Sequence, residues 1–228
     1  LEEYYLEQDR VVFEGETGKS LADLNADQEA ALEGIRKYFI SGKPVLLHGV
    51  TSSGKTEVYS HLILEYLERG DQVLYLVPEI ALTTQLIQRL QAIFGERVVP
   101  FHSRQGQKER AEIWQHLQAG GEKASVILGA RSAIFLPFPS LGLVIIDEEH
   151  ENSYKQLDPA PRYHARDIAI VLGKIHDANV ILGSATPSLE SYYNARTGKY
   201  GLVEIKERYS NILMPEIHLA NSREAYRK

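Results

Sequence analysis

Cysteine is absent from this 228-residue chain, which also contains only one methionine and one tryptophan. Without cysteine, neither disulfide bonds nor thiolate zinc sites can form within the chain. This composition fits a reducing cytosol, so we expect a cytoplasmic protein. Long apolar runs are missing as well, since none approaches the roughly 20 residues that a membrane-spanning helix needs. The composition therefore argues against a disulfide scaffold, and we expect no contact with a membrane.

An excess of positive charge is also lacking. The chain has 25 Lys and Arg against 31 Asp and Glu, which gives a formal net charge of -6. Net charge thus gives no sign of nucleic-acid binding, and any contact with DNA requires a local basic patch. With 43% hydrophobic and 25% charged residues, the composition is ordinary for a globular protein.

Short apolar runs alternate with segments of helical periodicity along most of the chain. Predicted strands cover residues 44–48, 72–77, 98–102, 124–129, 143–147, 179–183 and 202–205. Predicted helices cover residues 26–40, 57–67, 80–94, 108–118, 166–176 and 188–195. Such alternation predicts an α/β fold, with a mostly parallel sheet and helices on both faces.

The sequence predicts one compact domain between two irregular terminal segments. We expect the folded domain at residues 21–206, after a linker or peripheral segment at 1–20 that arrives from an upstream DNA-binding domain. Residues 207–228 are predicted to form a C-terminal tail. Because the chain starts at Leu1 rather than Met, we expect it to be a segment of a longer protein.

A glycine-rich loop lies between the first apolar strand and the helix that follows it. In this order the three elements form a phosphate-binding loop, in which backbone N–H groups and the helix N-terminus face an anion. Lys55 would reach the β- and γ-phosphates, and the Thr56 hydroxyl would ligate magnesium. The alternative, a glycine-rich turn capped by Ser53, leaves Lys55 and Thr56 unexplained. The predicted nucleotide-binding residues are Gly49, Val50, Thr51, Ser52, Ser53, Gly54, Lys55 and Thr56.

A second polar motif follows the predicted strand at 143–147, at an end where open α/β sheets bind ligands. We interpret Asp147 as the residue that holds magnesium, and Glu148 as the base that orients and deprotonates the attacking water. This division of labour suits phosphoryl transfer. His150 is interpreted as a sensor near the γ-phosphate. The alternative is an acidic cluster at the start of a helix, which does not account for the phosphate-binding loop upstream.

Several motifs in order resemble those of helicases. Asp147-Glu148-Glu149-His150 and Gly183-Ser184-Ala185-Thr186-Pro187 resemble motifs II and III of superfamily 2. Further segments resemble the PriA family of bacterial primosomal replication-restart helicases, namely GVTSSGKTEVY from residue 49, VPEIALTTQ from 77, GARSAIFLPF from 129, IDEEHENSYKQ from 146 and PRYHARD from 161. The resemblance covers about residues 22–206 and implies the first RecA-like lobe of an ATP-dependent 3′-to-5′ DNA helicase. Such helicases act at stalled replication forks and in primosome assembly.

The resemblance also implies cofactors and partners. The expected cofactors are ATP and Mg²⁺, with zinc only in a C-terminal part that this chain lacks. The expected partners are forked or single-stranded DNA, bound independently of sequence, together with other primosome proteins, the replicative helicase loader and single-strand DNA-binding protein. Because a second lobe normally supplies arginines to the γ-phosphate, we expect the isolated lobe to hydrolyse ATP poorly.

Individual roles follow from the motif positions. Gln28 resembles the glutamine that recognises adenine, and it also stands three residues after Asn25, where a capping-box partner belongs. Ser184 and Thr186 resemble the motif that links the state of the bound nucleotide to the affinity for DNA. Their hydroxyls are also suited to capping the next helix. The DNA-contacting or coupling residues are implied to be Arg131, Ser132, Tyr154, Lys155, Arg162, Tyr163, His164 and Arg166. Weaker candidates for backbone contacts are Thr83, Thr84, Gln85, His102, Ser103 and Arg104.

The loop after motif II interleaves aromatic and cationic residues, which can stack bases and hold phosphates. The alternative is a solvated loop whose tyrosines pack on the domain surface. Ser52 departs from the family where glycine is frequent, and Ala130 stands where threonine is common. Two rival functions remain open, a nucleotide-gated interaction module that does not unwind DNA and a small-molecule phosphotransferase.

Overall fold

The computed structural model describes residues 19–79, 81, 83–120 and 124–206. The predicted tail and nearly all of the predicted N-terminal linker lie outside the described residues. The helices are α1 (Ala26–Ile40), α2 (Lys55–Glu68), α3 (Thr84–Phe94), α4 (Gln107–Ala119), α5 (Ala165–His176) and α6 (Leu189–Arg196). The strands are β1 (Val45–Gly49), β2 (Gln72–Leu76), β3 (Val98–Phe101), β4 (Val126–Gly129), β5 (Leu141–Ile146), β6 (Lys155–Gln156), β7 (Tyr163–His164), β8 (Asn179–Ser184) and β9 (Gly201–Ile205).

Seven of these strands form one sheet in the order β3-β4-β2-β5-β8-β1-β9. Every pairing within the sheet is parallel, as the strand–helix alternation predicts. The fold class predicted from the sequence is therefore confirmed. Pro100 lies in β3 at an edge of the sheet, where a missing backbone N–H is tolerated.

The apolar strand residues divide into two hydrophobic layers, one on each face of the sheet. One layer packs α1, α2 and α3 and contains Ile35, Leu62 and Leu90. The other packs α4 and α5 and contains Ile113 and Ala169. Burial on both faces explains why the central strands are almost entirely apolar. Among the described residues, no helix is both long enough and apolar enough to cross a membrane.

Local signals account for the helix boundaries. Helix α1 begins after Asn25 with the predicted capping box, in which the Asn25 side chain accepts from the Gln28 backbone N–H and the Gln28 side chain accepts from the Asn25 N–H. Helix α3 begins at Thr84, later than the predicted residue 80. Its N-cap is Thr83, whose hydroxyl accepts from the Leu86 N–H. The apolar periodicity that predicts the longer helix includes residues that precede this cap.

The strand order brings three motifs to one edge of the sheet. Strands β5, β8 and β1 are consecutive neighbours. The phosphate-binding loop follows β1, the acidic motif follows β5, and motif III follows β8. Because all three strands run in the same direction, their carboxyl ends meet at the same edge, where ligands bind in open α/β sheets.

Candidate nucleotide-binding site

The loop between β1 and α2 has the backbone geometry of a phosphate cradle. Gly54 is the N-cap of α2 and adopts φ 82°, a left-handed conformation that glycine accommodates readily. A β-carbon at Gly49 would lie 2.6 Å from Ser53 Oγ, so this position also requires glycine. Ser52 has φ 61°, which explains why glycine suits this position and makes the serine a strained substitute. Since α2 starts from Gly54 without a side-chain cap, the alternative interpretation of Ser53 as a cap is wrong.

Polar groups of the loop face inward. The Lys55 ammonium donates a hydrogen bond to the Gly49 carbonyl at 2.9 Å, and Lys55 is only 8% exposed. The Ser53 hydroxyl is buried without a hydrogen-bond partner among the described residues. An unpaired buried hydroxyl beside a lysine and a helix N-terminus without a side-chain cap fits an anionic ligand such as a triphosphate.

Gln28 lies beneath the loop and is fully buried. Its amide nitrogen donates to the Ser53 carbonyl at 3.1 Å, while its amide oxygen accepts from the Asn25 N–H at 2.9 Å. The two hydrogen bonds tie the start of α1 to the phosphate-binding loop. In this arrangement Gln28 positions the loop, and contact with an adenine would require its side chain to turn outward.

Asp147 is held in place by two buried tyrosines. The hydroxyl of Tyr59, on α2, donates to Asp147 Oδ1 at 3.3 Å, and that of Tyr75, on β2, donates to Oδ2 at 3.2 Å. Tyr75 also interacts with the Thr56 side chain, so one tyrosine bridges the two predicted magnesium ligands. Sequence reasoning missed both tyrosines, because they lie on a helix and a strand distant from Asp147 in the chain.

Burial dominates the electrostatics of Asp147. Its pKa is raised from 3.8 to about 6, chiefly by desolvation and also by the neighbouring Glu148, while Lys55 opposes the rise. The electrostatic interaction between Asp147 and Lys55 shows that the loop and the acidic motif lie close together. Glu148 adopts φ 47°, and its N–H donates to Asp147 Oδ1 at 3.1 Å. The chain therefore turns directly after Asp147.

His150 links the acidic motif to motif III. Its Nδ1 lies 2.8 Å from Ser184 Oγ, and its Nε2 lies 3.3 Å from Thr186 Oγ1. The carboxylate of Glu148 is 3.6 Å from His150 Nδ1. Nδ1 of the imidazole thus lies near both the candidate base Glu148 and the Ser184 hydroxyl, and Nε2 lies near the Thr186 hydroxyl. The predicted sensor and coupling residues therefore lie together.

Glu149 forms a buried network that the sequence reasoning did not identify. The carboxylate is fully buried and accepts from the Ser188 N–H at 2.7 Å, from the Ser188 hydroxyl at 3.0 Å and from the Ser191 hydroxyl at 2.8 Å. Arg166 completes the set with an ion pair at 3.1 Å. Glu149 therefore ties motif II to the start of α6 and of α5. In the sequence, Glu149 is visible only as a carboxylate two residues after Asp147. The structure places it on the inward side of the turn.

Two residues expected at the DNA surface have structural partners instead. Tyr154 is fully buried, and its hydroxyl donates to the Asp147 carbonyl at 2.6 Å. The expectation that Tyr154 stacks on a base is corrected, because no face of its ring reaches the surface. Arg166 bonds to Glu149 and to the Ser188 hydroxyl, with only 12% of its side chain exposed. This geometry favours coupling over DNA contact for Arg166.

The other predicted DNA-contacting residues lie around a small hairpin formed by β6 and β7. Arg131 donates to the Ser153 and Lys155 carbonyls at 3.2 and 2.9 Å, and its guanidinium lies 5.9 Å from the Tyr163 ring. The structure thus brings the segment after β4 against the loop after motif II. Lys155 and Arg162 have exposed side chains, so both remain available to phosphates.

The remaining candidates lie partly in this hairpin and partly elsewhere. His164 is half-buried, and burial lowers its pKa. Ser132 lies in the 3₁₀ helix Arg131–Phe135. His102, Ser103 and Arg104 line a surface cavity together with Thr83 and Thr84. These residues lie beyond the ends of β2 and β3, which is the same edge of the sheet as the nucleotide cleft.

Gly183 offers a test of the packing behind Asp147. A β-carbon at this position would lie 1.7 Å from the Tyr59 hydroxyl and 3.3 Å from Asp147 Oδ1. We expect Gly183→Ala to displace Tyr59 and to lower the free energy of unfolding by about 1–3 kcal/mol. Chemical denaturation measures the change, and Gly106→Ala is the control, since a β-carbon there meets nothing within 4 Å. Equal stability of the two variants would contradict the tight fit.

A seven-stranded parallel sheet with a phosphate-binding loop and an acidic motif at the same edge defines a P-loop nucleotide-binding domain of RecA-like fold. The sequence model of the DEAD/DEAH box helicases matches residues 25–195. The chain therefore belongs to the DEAD/DEAH box helicase family.

Similarity to individual curated proteins gives the chain a more specific place within this family. The chain is 46% identical over 206 residues to the replication restart protein PriA of Bacillus subtilis, covering 90% of this chain and 25% of that protein. It is 46% identical over 199 residues to PriA of Rickettsia felis, covering 87% of this chain and 30% of that protein. The chain thus corresponds to a helicase lobe and spans about a quarter of the length of these relatives.

Solved structures agree with the fold. RecG bound to a three-way DNA junction superimposes with a TM-score of 0.61 at 26% identity, covering 87% of this chain and 27% of RecG. The DUF1998 helicase MrfA bound to DNA gives a TM-score of 0.58 at 18% identity, covering 81% of this chain and 26% of MrfA. The second likeness, at this low identity, supports the fold alone.

Proposed function

We propose that this chain is the ATP-binding lobe of an ATP-dependent 3′-to-5′ DNA helicase that acts at stalled replication forks and in primosome assembly. The observation that carries the proposal is the cleft in which Lys55 and Asp147 interact while His150 contacts Ser184 and Thr186. One site therefore joins a phosphate-binding group, a candidate magnesium ligand and a hydroxyl pair suited to relay a signal. A small-molecule phosphotransferase has no use for such a relay.

Each group in the cleft has a separate role. Lys55 and the N–H groups at the start of α2 bind the phosphates of ATP. Thr56 and Asp147 would hold Mg²⁺, which supplies charge neutralisation at the transferred phosphoryl group. Glu148 orients the attacking water and accepts its proton. Gln28 holds the loop in place by its hydrogen bond to the Ser53 carbonyl and so keeps Lys55 positioned near Asp147.

The DNA partner and the setting are inferred from the relatives, and the polarity from the motif resemblance. Names of the curated relatives describe replication restart, and the RecG structure contains a three-way DNA junction. Binding independent of sequence fits the exposed Lys155 and Arg162, because such cations contact phosphates rather than base edges. Other primosome proteins, the helicase loader and single-strand DNA-binding protein are the proposed protein partners.

Measurement of ATP hydrolysis with and without forked DNA tests this function. We expect slow hydrolysis that rises when DNA is added, and an overall rate several orders of magnitude below that of a complete motor, since an arginine from a second lobe contributes about 10³- to 10⁵-fold. Lys55→Ala should abolish the hydrolysis, and Lys37→Ala, which replaces an exposed lysine of α1, should leave it unchanged. Hydrolysis that ignores DNA would contradict the motor function.

A second candidate function is a nucleotide-gated DNA-binding module that does not unwind DNA. It is favoured by the contacts of His150 with Ser184 and Thr186, which would link a bound nucleotide to DNA binding whether or not hydrolysis follows. ATP-dependent DNA affinity without hydrolysis would support this candidate over the motor function.

A further inference from the structure

Three aromatic residues at the surface are not explained by the nucleotide site. Trp114, the one tryptophan of the chain, is 44% exposed on α4, and Phe135 is 51% exposed in the 3₁₀ helix after β4. Tyr163, on β7, contacts Phe135 edge-on with ring centroids 5.0 Å apart. Tyr163 is partly buried against the core, whereas Trp114 lies outside the buried face of α4, which Ile113 and Leu117 form.

Trp114 and Phe135 line the same groove, a cavity of about 500 Å³ between α4 and the 3₁₀ helix. Phe101 lies at its base, with the Arg110 guanidinium 5.1 Å from the ring centroid. Among the described lining residues, Arg110 carries the only charge and no carboxylate is present. An apolar groove beside a cation complements a ligand that combines a flat apolar ring with an anion.

The groove opens beside the segment predicted to contact DNA. Ser132, which also lines it, follows β4 at the edge of the sheet that carries the nucleotide cleft. Arg131 lies next to Ser132 and fixes the β6–β7 hairpin through the Ser153 and Lys155 carbonyls. A single strand of DNA that crosses this edge of the sheet would therefore contact the cations and the aromatic groove in succession.

We propose that this groove binds a base of single-stranded DNA by stacking on Trp114 and Phe135, with Arg110 contacting the adjacent phosphate. The inference rests on the proposed DNA-binding function and deepens it, since it specifies contact with a base in addition to the backbone. Stacking of this kind tolerates any sequence, because every base presents a flat aromatic face. It therefore agrees with binding that is independent of sequence.

The single tryptophan provides a direct measurement. Oligothymidylate is titrated into the protein at low salt while Trp114 fluorescence is recorded, and the anisotropy of an end-labelled oligonucleotide reports total binding. An abasic oligonucleotide of equal length supplies the same phosphates without bases. We expect oligothymidylate to quench Trp114 and to bind more tightly than the abasic strand, which should bind without quenching.

Substitutions separate stacking from folding. Phe135→Ala should weaken oligothymidylate binding by about 5- to 150-fold and leave abasic binding unchanged, whereas Phe135→Tyr should keep the wild-type affinity. Tyr193→Ala, at a ring of α6 that is 65% exposed, is the matched control and should have no effect. Because Phe135 is exposed, the variants are expected to remain folded, which circular dichroism verifies.

The outcomes distinguish this inference from the function on which it rests. Equal binding of both strands without quenching would overturn the stacking and leave the DNA-binding function intact. Failure of both strands to bind would overturn both. Quenching by a short leucine-rich peptide but not by DNA would identify the groove as a protein interface and overturn the proposal.

Discussion

Asp147→Asn is expected to stabilise the nucleotide-free protein and to abolish the weak MgATP binding expected of this lobe. Burial raises the pKa of Asp147 from 3.8 to about 6, so the ionised carboxylate opposes folding at neutral pH. A shift of this size corresponds to about 3 kcal/mol. The amide has no charge to desolvate and can still accept hydrogen bonds from Tyr59 or Tyr75. We therefore expect the free energy of unfolding at pH 7.5 to increase by about 1–3 kcal/mol.

The pH dependence has a definite sign. Between pH 4 and pH 6 the folded state retains the Asp147 proton while the unfolded state has lost it, so the wild-type contribution to stability decreases as the pH rises through this window. The advantage of the asparagine variant should be largest above pH 6 and should vanish below about pH 4. Conversely, wild-type affinity for MgATP should decrease as the pH falls from 7 to 5, because protonation removes the charge that attracts Mg²⁺.

Urea denaturation across this pH range and calorimetric titration with MgATP measure the two effects. Asp71→Asn is a matched control, because Asp71 precedes β2 and lies outside the cleft. We expect the control to leave MgATP affinity unchanged. A variant at Asp147 that is less stable at pH 7.5 and binds MgATP normally would contradict the assigned role.

The sheet and the location of the cleft could be predicted from local patterns. Apolar runs at 143–147 and 179–183 indicate strands buried on both faces, and parallel strands bring their carboxyl ends together. The capping box of Asn25 and Gln28 was predictable because both partners lie within one helical turn. These features depend on residues that are close in sequence or on the common direction of neighbouring strands.

The residues that were missed or misassigned depend on contacts between distant segments. Tyr59 and Tyr75 meet Asp147 across 88 and 72 residues of chain, and no periodicity marks a tyrosine whose hydroxyl supports a carboxylate. Tyr154 stands among exposed residues in sequence, yet the turn after Glu151 directs it into the core. The aromatic-rich loop therefore divides into a buried anchor and an exposed part, and the composition of the loop cannot separate the two.

Glu149→Ala is expected to destabilise the protein more than any other single change considered. The substitution removes the buried carboxylate partner of Arg166, whose remaining ion pair is with the exposed Asp167. It also removes the acceptor for the Ser188 N–H and for the hydroxyls of Ser188 and Ser191. Breaking one side of a buried ion pair costs about 3–5 kcal/mol. For a domain of this size such a loss lowers Tm by about 6–20 °C.

The conservative variant Glu149→Gln tests whether the network also transmits a signal. The amide can still accept from the Ser188 N–H, so the variant should retain more stability than Glu149→Ala while losing the ion pair with Arg166. Glu33→Ala, at an exposed position of α1, is the control and should change stability by less than about 0.5 kcal/mol. Thermal unfolding measures all three variants. If Glu149→Ala has the same Tm as the control Glu33→Ala, the carboxylate does not hold motif II against α5 and α6. If Glu149→Gln is folded and loses stimulation of ATP hydrolysis by DNA, the same carboxylate also couples the DNA side of the lobe to Asp147.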